Sequence, residues 1–566
     1  MSLSRTASFC ATLLGIGILA ACASPDGDAA SEESDAIAGD NWKDRAKLQA
    51  DYATFFQKNQ EDLHWFRDVP LGEAGIPLIL FKLLPDVMPD IWGKGWVERL
   101  GLFEAPSPAE DRTGVAVPRR TFGLPYGLGW TNKMMKVGPI EIPTMALVNL
   151  TCAACHTGRV NDDGGKVQYL MGAPSQTFTA AAWRLQITKT VRDKRFTVDA
   201  FTAALKSKRG NWLYPDDGGR QGAESLLFTS KMADILKAMG ERVNTRENLL
   251  QEYIGKRTYN HEWSHSTGGD VHELLNGGTP GQVEAFGTAV SLLVPENIKA
   301  MAEGPAKEDA LRKYLPPKPA VVDIMSVWGQ GKRPAAQWDG NITNPLLRNL
   351  GAELGVIGDP TVVDFENGKF TTRFVKDLPP PVYPFGVDGA KALTGKPIYE
   401  ATCAGCHDKS PGKGFDVKTD MNRANGLTEE SRKALGSAML ASCGTHAATE
   451  AQCKVSIDAA VTTPRTYLAP PLDGIWARAP YFHNGSVPTL AQVLMPAAKR
   501  QEIAATFVRG NTAYDKDQVG FDWKKRGPNT AIFDTSKEGF SNRGHEFGLD
   551  LSASDRSALL EYLKTL

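Results

Sequence analysis

The chain has no charge of either sign to spare. Lys+Arg total 64 and Asp+Glu 65 in 566 residues, which removes support for a nucleic-acid or other polyanion partner. It has no apolar run fit to span a bilayer as a mature helix. The stretch ATLLGIGILAAC near the N-terminus is too short for that. Cysteine is scarce, with 8 in all, few enough that each can be assigned a role. Strands and helices do not alternate along the sequence, which argues against βαβ units. Apart from one short motif that occurs twice, the sequence has no internal repeat. Length sets no limit on core size and is enough for two or three domains.

The N-terminus is organised as a targeting segment. MSLSR carries one basic residue, the apolar stretch follows, and Leu19-Ala20-Ala21-Cys22 resembles the lipobox of bacterial lipoproteins. This pattern predicts a signal peptide over residues 1–22, with Cys22 lipidated as the first mature residue. The alternative is ordinary secretion with cleavage near Ala21. Residues 23–40, ASPDGDAASEESDAIAGD, are acidic, small and polar. They read as a disordered tether. The expected location is the periplasmic or cell-surface side, with membrane attachment through the lipid alone.

The repeated motif is C-x-x-C-H. TCAACHTG holds Cys152, Cys155 and His156, and TCAGCHDK holds Cys403, Cys406 and His407. Two thiols can form thioethers to porphyrin vinyl groups, and the adjacent imidazole can ligate the iron. One such motif could be chance or thiol redox chemistry. Two on an exported chain predict two covalently bound haem c groups. Cys10 and Cys22 lie in the signal region, so only Cys443 and Cys453 remain, in ASCGTHAATEAQC. In an oxidising compartment they are expected to form a disulfide. The alternative is a second metal site with His446, which lacks a fourth ligand.

The clearest boundary is LPPPVYPFGVD, residues 378–388, read as an extended polyproline linker. GAKALTGKPIYEATCAGCH reads as a helix running into the second motif. LSASDRSALLEYLKTL reads as a terminal helix, with Ser552 and Asp555 in capping-box spacing and Leu559, Leu560 and Leu563 on one face. Residues 386–566 are therefore expected to form a cytochrome c domain, and 41–385 the other haem domain. Helical periodicity is clear in NWKDRAKLQADYATFFQKNQEDLHWF and AESLLFTSKMADILKAM. GLPYGLGW, PDDGGRQG, STGGD and NGGTPGQ read as loops. The fold class is mainly α, two c-type cytochrome domains with long irregular loops.

HEWSH, residues 261–265, matches the zinc pattern H-E-x-x-H. STGGD follows at once and breaks the helix that pattern needs, so His261, His265 and His272 read as loop or pocket residues. Trp263 is a candidate to pack on the first haem. His483 alone would read as a loop histidine bonded to its own turn. The whole run PPLDGIWARAPYFHNGSVPTL, however, resembles the signature of bacterial di-haem cytochrome c peroxidases and MauG-like proteins. Within that superfamily the chain looks most like the di-haem rubber oxygenases. NLTCAACHTG, TPGQVEAFG, LPPPVYPFGVD, IYEATCAGCH, the His483 run and NRGHEFGLDLSASDRSALLEYLKTL carry the likeness, from about residue 145 to the end.

The resemblance implies a role for each site residue. His483 would lie beside the C-terminal haem. His545, in NRGHEFG, would be that haem's distal ligand opposite His407, with His483, Met421, Met439 and Met495 as competitors. TPGQVEAFG would cover the distal face of the N-terminal haem, with Phe286 as an apolar wall and Glu284 as a proton donor. His156 would hold the reactive iron, and the C-terminal haem would handle electrons. The implied function is a peroxidase-like or oxygenase oxidoreductase acting with O2 or peroxide. Oxidative cleavage of a polyisoprene-like alkene, an apolar polymer, and hydrogen peroxide reduction are close rivals. The non-enzymatic alternative is an electron relay to a redox partner protein.

Overall fold

Hydrophobic spacing sets the first elements. Tyr52, Phe56, Leu63 and Phe66 recur at helical intervals and are all buried. They lie on the helices Arg45–Lys58 and Gln60–Arg67, which are separated at Asn59. Phe66 and Phe374 pack with ring centroids 5.1 Å apart. The computed structural model describes residues 44–104, 123–131, 134–137, 140–161, 165–250, 252–253, 279–410 and 412–566. Cys10, Cys22, the tether, His261, Trp263, His265 and His272 lie outside the described residues. Among those described, no helix is long and apolar enough to cross a membrane.

The fold is mainly α, and its described sheets have two or three strands each. The three-stranded sheet places the first thiol pair. Leu147–Leu150 is its central strand, antiparallel to both Ile76–Pro77 and Leu128–Trp130. It ends at Thr151, whose N–H donates to the Gly127 carbonyl at 2.9 Å. The chain then turns straight into the short helix Cys152–Cys155. Gly127 has φ +91°, and a Cβ there would sit 2.8 Å from the Cα of Ala154. Glycine alone permits that conformation and that approach. Beyond His156, Thr157–Asn161 pairs with Val167–Met171 as a hairpin.

Three expectations are corrected. GLPYGLGW is only partly a loop, because its last three residues form the strand Leu128–Trp130. PDDGGRQG is only partly a loop, because the 33-residue helix Gly218–Leu250 begins inside it. Asp217 accepts a hydrogen bond from the Arg220 N–H at 2.9 Å, so a side-chain cap starts the helix despite two glycines. Residues 378–388 are not a free linker. Leu378, Tyr383 and Phe385 are buried, and Trp476 Nε1 donates to the Pro381 carbonyl at 3.1 Å. Proline sets the extended backbone, but the interleaved apolar side chains anchor it.

The helix Gly389–Thr402 runs into the second motif and crosses the terminal helix Ala553–Leu563. Tyr399 and Tyr562 pack at 5.2 Å. Ser552 caps the terminal helix by accepting from the Asp555 N–H at 3.1 Å, and Leu559 and Leu563 are buried. Ala46–Leu566 is one compact unit. A single apolar cluster runs from Phe56 and Ala153 through Trp328 to Tyr399, Ala404 and Leu559. The 385/386 boundary separates the thiol pairs along the chain, yet one core supports both.

Candidate functional site

Each motif ends in an imidazole oriented by a backbone carbonyl. His156 Nδ1 lies 3.0 Å from the Met325 oxygen, and His407 Nδ1 lies 2.7 Å from the Pro470 oxygen. A carbonyl only accepts, so each Nδ1 carries the hydrogen and each Nε2 presents a bare lone pair. Such an outer hydrogen bond orients a metal-ligating histidine. Burial pushes His156 down to about 4 and also lowers His407. Both rings therefore stay neutral and able to ligate.

All four motif cysteines are free thiols. Burial pushes Cys152 and Cys155 up to about 12 and Cys403 up to about 11. Enclosed, protonated thiols are poor ionic metal ligands without help, but they suit covalent attachment to a group that fills the space beside them.

The ring of His545 faces that of His407, with centroids 6.3 Å apart. Two imidazoles on opposite sides of one metal, each at about 2.0–2.1 Å, place their centroids roughly 6 Å apart. Burial first, then the nearby His407 and Arg500, hold His545 down to about 4. The His545 backbone is left-handed at φ 50°, and its N–H donates to the Val417 carbonyl at 2.7 Å. Its Nδ1 is buried without a hydrogen-bond partner. Among the methionine competitors, Met439 packs on Gly351 in a different cluster, and Met421 and Met495 are half-buried.

His483 is buried and lies flat on Tyr467 at 4.2 Å. Its Nε2 is 3.8 Å from Asp420. Its neighbour Phe482 packs on His545 at 5.8 Å, with the Arg500 guanidinium 5.1 Å from the Phe482 ring, and Phe547 packs on His545 at 5.1 Å. Phe482 lies in the run PPLDGIWARAPYFHNGSVPTL, where the sequence alone singles out only His483. Arg500, far along the chain, had no local signal. Cys443 and Cys453 form a disulfide, and His446 stacks on Phe365 at 4.0 Å. The alternative metal site there has lost its thiolates.

Cys152, Cys155 and His156 open on a mainly apolar cavity of about 690 Å³, a size suited to a small-molecule or cofactor site. Glu284 and Phe286 are in the same wall. Glu284 caps the helix Ala285–Leu292, its Oε2 accepting from the Thr288 N–H at 3.2 Å, while Oε1 is buried without a partner. Burial pushes its carboxyl up to about 7, against the opposing pull of Arg423. The Arg423 guanidinium lies 3.4 Å from the Phe286 ring centroid and pairs with Asp339. Phe286 thus packs under a buried cation, a contact invisible in the sequence.

Free paired thiols, bare Nε2 atoms and the His407–His545 spacing fit haem c. Residues 466–504, which include Tyr467, Pro470 and Phe482, match the RoxA-like, cytochrome c-like family. Residues 62–156, which end on His156, match the Y4iN-like domain. Three proteins of Sinorhizobium fredii (strain NBRC 101917 / NGR234), each described as uncharacterized, are similar. Protein y4iM is 35% identical over 288 residues, covering 44% of this chain and 66% of that protein. Protein y4iJ is 26% identical over 555 residues, covering 81% and 84%. Protein y4iN is 30% identical over 122 residues, covering 20% and 55%. The chain spans just under two thirds of y4iM and about half of y4iN. The cytochrome c-like match, which lies outside both C-x-x-C-H motifs, implies haem c as the cofactor.

Proposed function

We propose that the chain is an exported di-haem c-type cytochrome with oxygenase or peroxidase-like activity at its N-terminal haem. One observation carries this reading: His407 faces a second imidazole, whereas His156 opens on a mainly apolar cavity. Cys152 and Cys155 hold one haem and Cys403 and Cys406 the other. His156 is the ligand of the first iron, and His407 and His545 are the ligands of the second. Haem c supplies one-electron chemistry and, where a coordination position is open, a place for O2 or peroxide.

The chain's own residues do the rest. Phe286 helps exclude water and holds an apolar substrate in the cavity. Glu284, held to about 7 by burial, keeps a proton on its carboxyl in slightly acid solution and can release it near neutrality. Arg423 offsets the charge left behind. The apolar wall supports a polyisoprene-like alkene as the leading substrate, and the Glu284 proton supports peroxide reduction as its rival. The lipobox supports lipid anchoring on the periplasmic or cell-surface side, where a redox partner can reach the C-terminal haem.

The test is to give the purified protein polyisoprene under O2 and, separately, peroxide with a reduced donor. Phe286→Ala should keep both haems and lower turnover strongly, because positioning at the reactive centre is lost. Ferric spectra should show one haem that binds added cyanide or imidazole far more readily than the other. If neither iron binds ligand, even after reduction of the C-terminal haem, the enzyme reading fails and the electron-relay reading replaces it.

A further inference from the structure

The wall of the cavity also carries buried polar groups without partners. Gln330, Asn341 and Arg348 line it, at 7%, 1% and 6% exposure. Gln330 Oε1, both amide atoms of Asn341, and Arg348 Nε and Nη2 are buried without hydrogen-bond partners. Buried polar groups are normally satisfied, so orphans in one cavity wall that include guanidinium donors are suited to an anionic group. Amide oxygen and nitrogen exchange by a flip, so Gln330 can also present a donor.

Arg333 adds a second cation to the same wall. It donates to the Ser326 carbonyl at 3.1 Å and to Ser326 Oγ at 3.2 Å. The charge acting on Arg348 besides burial is that of Arg333, which is of the same sign, while the acid acting on Arg333 is Asp473. Arg184, Arg246 and Arg423, enclosed in the same wall, also keep orphan nitrogens, but each has a partner through another nitrogen. Arg184 pairs with Glu247, Arg423 with Asp339, and Arg246 donates to the Val356 carbonyl at 2.6 Å. Arg348 therefore stands out as a buried guanidinium under the influence of a like charge and, among the described residues, in no ion pair with a carboxylate.

Resting on the haem reading above, we propose that Arg348 and Arg333, with Asn341 and Gln330, form the cradle for the propionates of the haem attached at Cys152 and Cys155. The thiols and the cradle share one cavity. A porphyrin joined to cysteines by its vinyl edge carries both propionates on the opposite edge. Buried carboxylates need charge-assisted donors, and arginine provides them in a planar fork. The cradle then does two things. It fixes the orientation of the porphyrin in the cavity, and its positive charge favours the ferrous iron.

The experiment uses the full chain carrying both haems. A pyridine haemochrome assay first counts the haems on the wild type and on Cys152→Ala/Cys155→Ala. Failure to find a haem at that pair would refute the di-haem reading itself, separately from the cradle. Arg348→Gln should retain both haems and lower the midpoint potential of the Cys152/Cys155 haem alone. The expected change is about tenfold in the ferric to ferrous ratio at fixed potential, or 59 mV for one electron. The propionate bending band in the resonance Raman spectrum of that haem should move as well. Arg348→Lys should give a smaller fall, and Asn341→Asp a fall in the same direction. If Arg348→Gln does not fold, those two variants decide. Unchanged midpoint and Raman band in a fully loaded variant overturn the proposal. So does octanoate binding to the wild type that is lost in Arg348→Gln without a change in midpoint, which would assign the arginine to a substrate carboxylate.

Discussion

Replacing Glu284 by Gln should remove a pH dependence from the stability of the fold. Glu284 is 2% exposed, and burial holds its carboxyl at about 7 rather than the ordinary 4.5. The folded protein therefore grips this proton more tightly than the unfolded chain does. Its stabilising effect is complete below about pH 4.5 and is lost as pH rises through about 7. The linkage amounts to about 3 kcal/mol. The amide imitates the protonated acid and can still accept from the Thr288 N–H, so Glu284→Gln keeps the helix cap without the titration. Guanidinium unfolding of both proteins from pH 4 to 8 measures the difference. The wild type should lose about 3 kcal/mol relative to the variant across that range. The infrared difference between the two proteins at pH 5 should contain a protonated carboxyl stretch. A stability gap independent of pH, with no such band, would show that Glu284 is ionised throughout and that Arg423 outweighs burial.

Three further outcomes follow from particular contacts. His545→Ala should move the C-terminal haem from six-coordinate low spin toward an open site, read from the ferric spectrum and cyanide titration; an unchanged spin state would return the ligand role to a methionine. Gly395→Val should destabilise the crossing of Gly389–Thr402 over Ala553–Leu563, because a Cβ there would meet the Ala558 oxygen at 2.1 Å. Overpacking of this kind costs about 1–3 kcal/mol or more, so the melting temperature should fall, and an unchanged value would mean that the helices separate freely. Labelling with a palmitate analogue should mark the wild type and spare Cys22→Ala, whereas recovery of the wild type wholly in the soluble periplasmic fraction would rule out lipid anchoring.

Some of this protein is determined locally and could be read from the chain alone. C-x-x-C-H is a covalent pattern over five residues, so both thiol pairs and the imidazoles that follow them were legible without a fold. The caps and faces of the terminal helix follow from spacing between near neighbours, and Ser552 and Asp555 meet as expected. The fold class came from periodicity in the same way. What the tertiary structure decided are encounters between distant segments, for which a linear sequence has no signal. His407 and His545 face each other across 138 positions. The Met325 and Pro470 carbonyls set which imidazole nitrogen is free. The polyproline segment was misread because backbone preference fixes extension, whereas burial of Leu378, Tyr383 and Phe385 depends on partners elsewhere in the chain. The cation under which Phe286 packs, and the arginines in the cavity wall, are set by three-dimensional packing. Desolvation and charge pairing act through space, and only the folded chain brings those groups within range.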